Sequence, residues 1–122
     1  MKYNLNKLLL VIVGLLLSTT ALAHHFEDNG IYYNILDQSA KTVAVTYKGS
    51  LYYDYSNEYT GSVIIPSSVT YNGTTYSVTE IGVYAFYECI YLREVTIPNS
   101  VTRIGTSAFI NCTKVHLLEL VV

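Results

Sequence analysis

Apolar and polar residues alternate with a period of two through much of the chain beyond residue 30, the pattern of strands buried on one face. Ile31-Tyr32-Tyr33-Asn34-Ile35 reads as a first strand, and Thr42-Val43-Ala44-Val45-Thr46-Tyr47 as its partner. The polar turn Asp37-Gln38-Ser39-Ala40-Lys41 joins them, and Lys48-Gly49-Ser50 ends the second. Val63-Ile64-Ile65 is a third strand, stopped by Pro66, which has no N–H to give a ladder. Val69-Thr70-Tyr71 and Thr74-Thr75-Tyr76-Ser77-Val78 flank Asn72-Gly73. Asn-Gly between alternating runs predicts a tight hairpin, because both central residues of such a turn need positive φ. That turn sets Tyr71 opposite Thr74 and Val69 opposite Tyr76. No helical period occurs in residues 24–80.

The last third of the chain repeats itself at an offset of 23. Ile81, Gly82, Ala85, Phe86 and Cys89 match Ile104, Gly105, Ala108, Phe109 and Cys112 in identity. Leu92, Val95 and Ile97 match Val115, Leu118 and Leu120 in apolar character. A partial copy lies upstream: Val63 to Thr70 matches Val95 to Thr102 at six of eight positions, at an offset of 32. The nine extra residues are the Asn72-Gly73 hairpin. A period in the twenties predicts a solenoid, each coil being a strand, a turn and a short helical return. The helical turn is expected at residues 85–89, with Phe86 and Cys89 on one face. The expected repeat core is Ile81, Ala85, Phe86, Cys89, Leu92, Val95 and Ile97, then Ile104, Ala108, Phe109 and Cys112. Strand alternation turns Glu94 and Thr96 outward, and their copies Leu117 and Glu119 with them.

The N-terminus reads as an address. Lys2 and Lys7 precede ten residues without a polar side chain, Leu8 to Leu17, and then Ser18-Thr19-Thr20-Ala21-Leu22-Ala23. These are the three regions of a secretory signal peptide, with cleavage expected after Ala23. The apolar run is short for a membrane span, which needs about 20 residues. No later run approaches that length, so no span is expected after cleavage. The chain thus divides into a signal peptide (1–23), a β-rich N-terminal cap with a hairpin (24–80) and repeat coils (81–122). The fold class expected is mainly β with short helical turns, the cap leading into a short solenoid of about 23-residue coils.

The string Ile-Gly-x-x-Ala-Phe-x-x-Cys-x-x-Leu-x-x-Val-Thr-Ile-Pro-x-Ser-Val-Thr at residues 81–102 resembles the leucine-rich repeats of BspA-like surface proteins. The hairpin entry from Val69 to Gly82 is similar to the start of such arrays in Bacteroidetes proteins. The resemblance spans about residues 26–115. It implies a secreted or cell-surface protein, a curved solenoid, and binding of a protein or a host surface rather than catalysis. Two departures bear on it. Only two Ala-Phe-x-x-Cys coils are present, and the pattern decays after Cys112, with Val121 in the place of Pro98 and Glu119 in that of Thr96. Solenoids generally need three or more repeats and capped ends. Beside the complete interaction module, the alternative expectation is therefore a truncated, non-functional fragment of a longer repeat protein, with Leu118 and Leu120 at an uncapped edge through which copies could associate.

Composition narrows the function classes. Net charge is −2 over 122 residues, against a nucleic-acid surface, which usually carries a basic stripe. Two Cys and three His are too few for a disulfide or zinc scaffold. The two Cys occupy one slot in successive coils and read as buried, free thiols. His24 and His25 stand at the start of the mature chain, where a free amine beside two imidazoles can hold copper, or where a polar start is simply disordered. His116 stands alone. No G-x-S-x-G, H-E-x-x-H or phosphate loop is present, so no enzyme and no cofactor are expected. Tyrosine is the loudest signal, 13 in all, nine of them in residues 24–80. Tyr52, Tyr53, Tyr55 and Tyr59 form a candidate contact patch, which also suits a small carbohydrate-binding module, while strand propensity and half-buried packing are the plainer account of the cluster. Asn72 and Asn111 lie in glycosylation sequons but are better explained by turns.

Overall fold

The computed structural model describes residues 24–121. The expected signal peptide and its cleavage point after Ala23 lie outside the described residues. Among the described residues nine strands form in chain order: β1 (Phe26–Asp28), β2 (Ile31–Asp37), β3 (Thr42–Thr46), β4 (Gly61–Ile64), β5 (Ser68–Tyr71), β6 (Thr74–Ile81), β7 (Leu92–Ile97), β8 (Arg103–Ile104) and β9 (Leu117–Leu120). One sheet runs β1-β2-β3-β6-β5, with β8 on the end of β6; the other runs β4-β7-β9. The architecture is mainly β. No helix among the described residues is long and apolar enough to cross a membrane.

The hairpins follow from local chemistry. Asn72 and Gly73 hold φ of 49° and 76°, and Val69 pairs with Tyr76 and Tyr71 with Thr74. Asn29-Gly30 makes a second such turn, with φ of 49° and 79°, joining β1 to β2. The same dipeptide marks it in the sequence, but the three residues of β1 are too few to show alternation. β2 and β3 pair antiparallel, with an irregularity at Ile35/Asp37 that the Asp37 carboxylate steadies by accepting the Ala40 N–H at 2.9 Å.

Both repeat offsets are hydrogen-bonding registers. β7 and β9 pair parallel with Val95 beside Leu118 and Ile97 beside Leu120. β6 and β8 pair Ile81 with Ile104. β4 and β7 pair Val63 with Val95 and Ile64 with Thr96, at the offset of 32. β3 continues the stack on the other side: Val45 lies beside Ile81, and the Gly82 N–H donates to Val45 O at 2.8 Å. One coil on, the Gly105 N–H donates to Ile81 O at 2.7 Å. The β-rich part thus presents to the first coil the same backbone edge that the first coil presents to the second.

The helical returns expected in each coil are replaced by turns. Ala85 N–H donates to Gly82 O, Tyr87 to Tyr84 O and Cys89 to Phe86 O, each spanning three residues. Tyr84 and Glu88 hold φ of 58° and 50°, and their copies Ser107 and Asn111 hold 57° and 59°. A left-handed residue every fourth position breaks the i→i−4 ladder that an α-helix requires. The turns bond across coils instead, Phe86 N–H to Ala108 O at 2.8 Å and Glu88 N–H to Ile110 O at 3.0 Å.

A single apolar cluster runs from Phe26 to Ala108. Ile81, Ala85, Phe86, Cys89, Leu92, Val95 and Ile97 are all buried in it, as is Ala108. Phe86 stacks flat on Phe109, centroids 4.8 Å apart and planes 4° apart. Phe109 and Cys112 are only partly buried. Ile104 departs from the expected core: it is 48% exposed, because it sits in a two-residue strand with no further strand alongside among the described residues.

Candidate functional site

The three parallel strands β4, β7 and β9 lie side by side, β4 and β7 turn alternate side chains outward, and the backbone register sets the residues of all three in rows. Ser62, Glu94 and Leu117 form one row; Ile64, Thr96 and Glu119 form the next. The expected face of Glu94, Thr96, Leu117 and Glu119 is therefore contiguous in backbone, and β4 widens it by Ser62 and Ile64. Ile64 is 73% exposed, the most exposed large apolar side chain among the described residues. The alignment of Val63-Ile64-Ile65-Pro66 with Val95-Thr96-Ile97-Pro98 carried that information in the sequence. It placed Thr96 outward and, by the same register, places Ile64 outward beside it.

Glu94 is the hub of the first row. Ser62 Oγ donates to its Oε2 at 3.1 Å, and His116 Nε2 lies 3.5 Å from its Oε1. One carboxylate so ties all three strands together from the outside. The contacts are exposed, and their contribution to stability is small. His116, the histidine that stood alone in the sequence, belongs to this face.

The tyrosine patch divides. Tyr59 is 3% exposed and leaves the expected patch for the core. Its hydroxyl donates to Thr46 O at 2.7 Å and accepts the Tyr32 N–H at 3.1 Å. Burial holds that hydroxyl well above its ordinary pKa range. β propensity and packing, not contact, explain this tyrosine. Tyr52 stacks on Tyr84 at 4.0 Å and meets Tyr53 and Tyr87 edge-on at 4.9 and 4.7 Å. Its ring thereby seats the loop 48–60 on the first coil's turn. Asn57 Oδ1 adds a second anchor by accepting the Ile90 N–H at 3.1 Å. Tyr53 and Tyr55 remain exposed, with Lys48 Nζ 4.7 Å from the Tyr55 ring centre. A cleft of about 440 Å3 lined by His24, Lys48, Gly49, Ser50, Asp54 and Tyr55 opens beside them.

His24 and His25 are held in place by the fold, where a disordered segment is the simpler expectation. His25 Nδ1 accepts the Ile35 N–H at 2.9 Å, and the His24 ring meets Tyr32 edge-on at 5.0 Å. Among the described residues no three His, Cys, Asp or Glu side chains gather into a metal-binding group. The thiols point to backbone oxygens: Cys89 Sγ to Tyr87 O at 3.7 Å, Cys112 Sγ to Phe86 O at 2.9 Å. Burial pushes the Cys89 thiol up to about 12 and raises Cys112 as well. Raised thiols are poor nucleophiles at neutral pH, since the thiolate is the reactive form.

Comparison with known proteins agrees with this geometry. Residues 53–120 match the BspA type leucine rich repeat region, in six copies. No curated protein matches. Three solved structures do. A leucine-rich repeat protein from Bacteroides ovatus is 34% identical with a TM-score of 0.65, over 78% of this chain and 23% of that one. A leucine rich cell surface protein from Faecalibacterium prausnitzii is 29% identical with a TM-score of 0.60, over the same shares. A leucine-rich repeat protein from Bacteroides capillosus is 29% identical with a TM-score of 0.61, over 78% of this chain and 64% of that one. The chain spans about a quarter of the length of the first two.

Proposed function

This chain belongs to the BspA-type leucine-rich repeat family, and we infer from that membership that it is a protein–protein interaction module displayed outside the cell. Its coils stack as a short solenoid, and it binds through the outward rows of β4, β7 and β9. The observation that carries this reading is Ile64 beside Thr96, an exposed branched apolar side chain next to polar Thr96 and Ser62 on a parallel sheet. Interface centres have that composition, apolar within a polar rim. The N-terminal address at residues 1–23 supports export, and so does the likeness to a structure described as a cell surface protein. Adhesion to a host surface is the form of interaction the reading favours. Catalysis has no part in it: His25 and His116 are engaged with the backbone and with Glu94, and both thiols are raised. Exposed Leu118 and Leu120 support association between copies as a secondary property.

The test is a photo-crosslinking side chain installed at Thr96 of the full chain on intact native cells. A discrete cross-linked protein, lost on Ile64→Arg, is the expected result. No product, or one reached only after the cells are lysed, overturns the reading.

A second reading rests on the cleft beside Tyr55. An aromatic ring with a carboxylate, a hydroxyl and an ammonium around it suits the CH face and hydroxyls of a neutral sugar. Glycan-array binding lost on Tyr55→Ala and Tyr53→Ala, but kept in Thr96→Ala, would establish it over the first.

A further inference from the structure

Among the described residues β4 has a strand on one side only. It pairs with β7, and no described strand pairs with its other edge. In a parallel ladder a residue that bonds to a neighbour turns both its N–H and its C=O that way, and the next residue turns both away. Gly61 N–H donates to Tyr91 O at 2.9 Å and Ile65 N–H to Thr96 O at 3.0 Å. Gly61, Val63 and Ile65 therefore face β7, and Ser62 and Ile64 hold their N–H and C=O groups out to the free edge.

Free edges are usually guarded by charge, proline or a covering segment, because they template the addition of another strand. β1, an edge of the other sheet, reads Phe-Glu-Asp and carries two acids. β4 reads Gly-Ser-Val-Ile and carries no charge. A groove of about 280 Å3 opens beside this edge, lined by Asn29, Gly30 and Ile31 of the β1–β2 turn, by Tyr59 and by β4 from Ser62 to Ile64. Strand addition needs these two things together: a row of unpaired backbone groups, and a pocket for alternate side chains of the incoming strand.

We propose that the free edge of β4 is a docking site for an extended peptide segment of a partner protein. The segment adds as a fourth strand beside β4-β7-β9. It exchanges backbone hydrogen bonds with Ser62 and Ile64 and lowers one apolar side chain into the groove against Val63 and Ile31. Its next side chain lies outward beside Ile64, so the preferred segment alternates apolar and polar residues. This rests on the interaction reading above but uses the edge of the sheet rather than its face.

The experiment is selection of a displayed random decapeptide library on the full chain, followed by binding and amide exchange with the enriched peptides. Ile64→Pro removes the edge N–H at a position whose N–H does not serve β7; Ile64→Ala removes the side chain and keeps the N–H. The expected result is enrichment of alternating apolar–polar peptides that slow exchange at Ser62 and Ile64. Their affinity drops at least tenfold in Ile64→Pro and less in Ile64→Ala. The exchange readout on the unmodified chain stands even if Ile64→Pro folds poorly. No enrichment, or peptides that leave the Ser62 and Ile64 amides unprotected, overturns the proposal. So does a peptide-free dimer in which those amides are already slowed, which would mean self-pairing. Peptides insensitive to Ile64→Pro but lost in Thr96→Arg overturn the edge site and leave the face reading standing.

Discussion

Gly105 lies directly on the peptide that follows Gly82. A Cβ built on Gly105 would stand 2.5 Å from Val83 N and 2.8 Å from Gly82 C, both backbone atoms that cannot swing away. The repeated Ile-Gly of each coil is thus a spacing rule: only a residue without a side chain lets one coil settle on the last. Gly82 obeys it against β3, where a Cβ would stand 2.9 Å from Val45 O.

Gly105→Ala is expected to cost roughly 1–3 kcal/mol by forcing the coils apart. Gly82→Ala should cost a comparable amount, acting on the junction with β3. Urea denaturation of both variants checks this. A loss within about 0.5 kcal/mol, the usual range of a neutral surface change, would mean the coils slide freely.

Tyr59→Phe removes one hydroxyl that serves the buried Thr46 O and the half-buried Tyr32 N–H. Leaving buried partners unsatisfied costs about 1–3 kcal/mol. Tyr53→Phe, at an exposed ring, should change stability by less than about 0.5 kcal/mol. Equal effects in the two variants would contradict the core placement of Tyr59.

The thiols make stability fall in alkali. Cys89 is pushed by burial from an ordinary value of 9.0 to about 12. Below pH 9 the thiol is protonated folded or unfolded, and its contribution is complete. Between pH 9 and 12 only the unfolded chain releases the proton, so Cys89 removes up to about 1.4 kcal/mol per pH unit. Tyr33 and Tyr59, raised by burial from 10.0, add to the slope above pH 10. Cys89→Ala should flatten the fall between pH 9 and 10, with Cys112 leaving a residue of it. An unchanged pH profile in that variant would exclude the assignment. The unsubstituted chain, denatured without reductant, should titrate two thiols.

How much of this was legible in the sequence depends on which atoms carry the information. The offsets of 23 and 32 are side-chain patterns, and they became strand registers because identical residues meet identical backbone positions in neighbouring coils. The Asn72-Gly73 turn is a local backbone preference and could be read directly. The docking of β3 beside Ile81 could not. It joins residues far apart in the chain through backbone groups, which leave no mark on residue type. The helical return was misread because Phe86 and Cys89 share a face at a spacing of three in a series of turns as readily as in a helix. Only the left-handed Tyr84 and Glu88 distinguish the two, and neither residue type announces positive φ. In the sequence Tyr59 cannot be told apart from its neighbours Tyr52 to Tyr55, which suit a contact patch or half-buried packing alike. Its burial depends on Thr46 and Tyr32, which the fold alone brings to it.

The register at which each coil meets the next has a consequence for how such chains change over generations. Residue i of β6 and β7 bonds to residue i + 23 of β8 and β9. An in-frame duplication of one coil's coding stretch would therefore insert a unit whose two edges already fit its neighbours, with no compensating substitution elsewhere. The length of the array is a quantity that copying errors can raise or lower, while the β3 platform and the open edge of β4 are inherited unchanged.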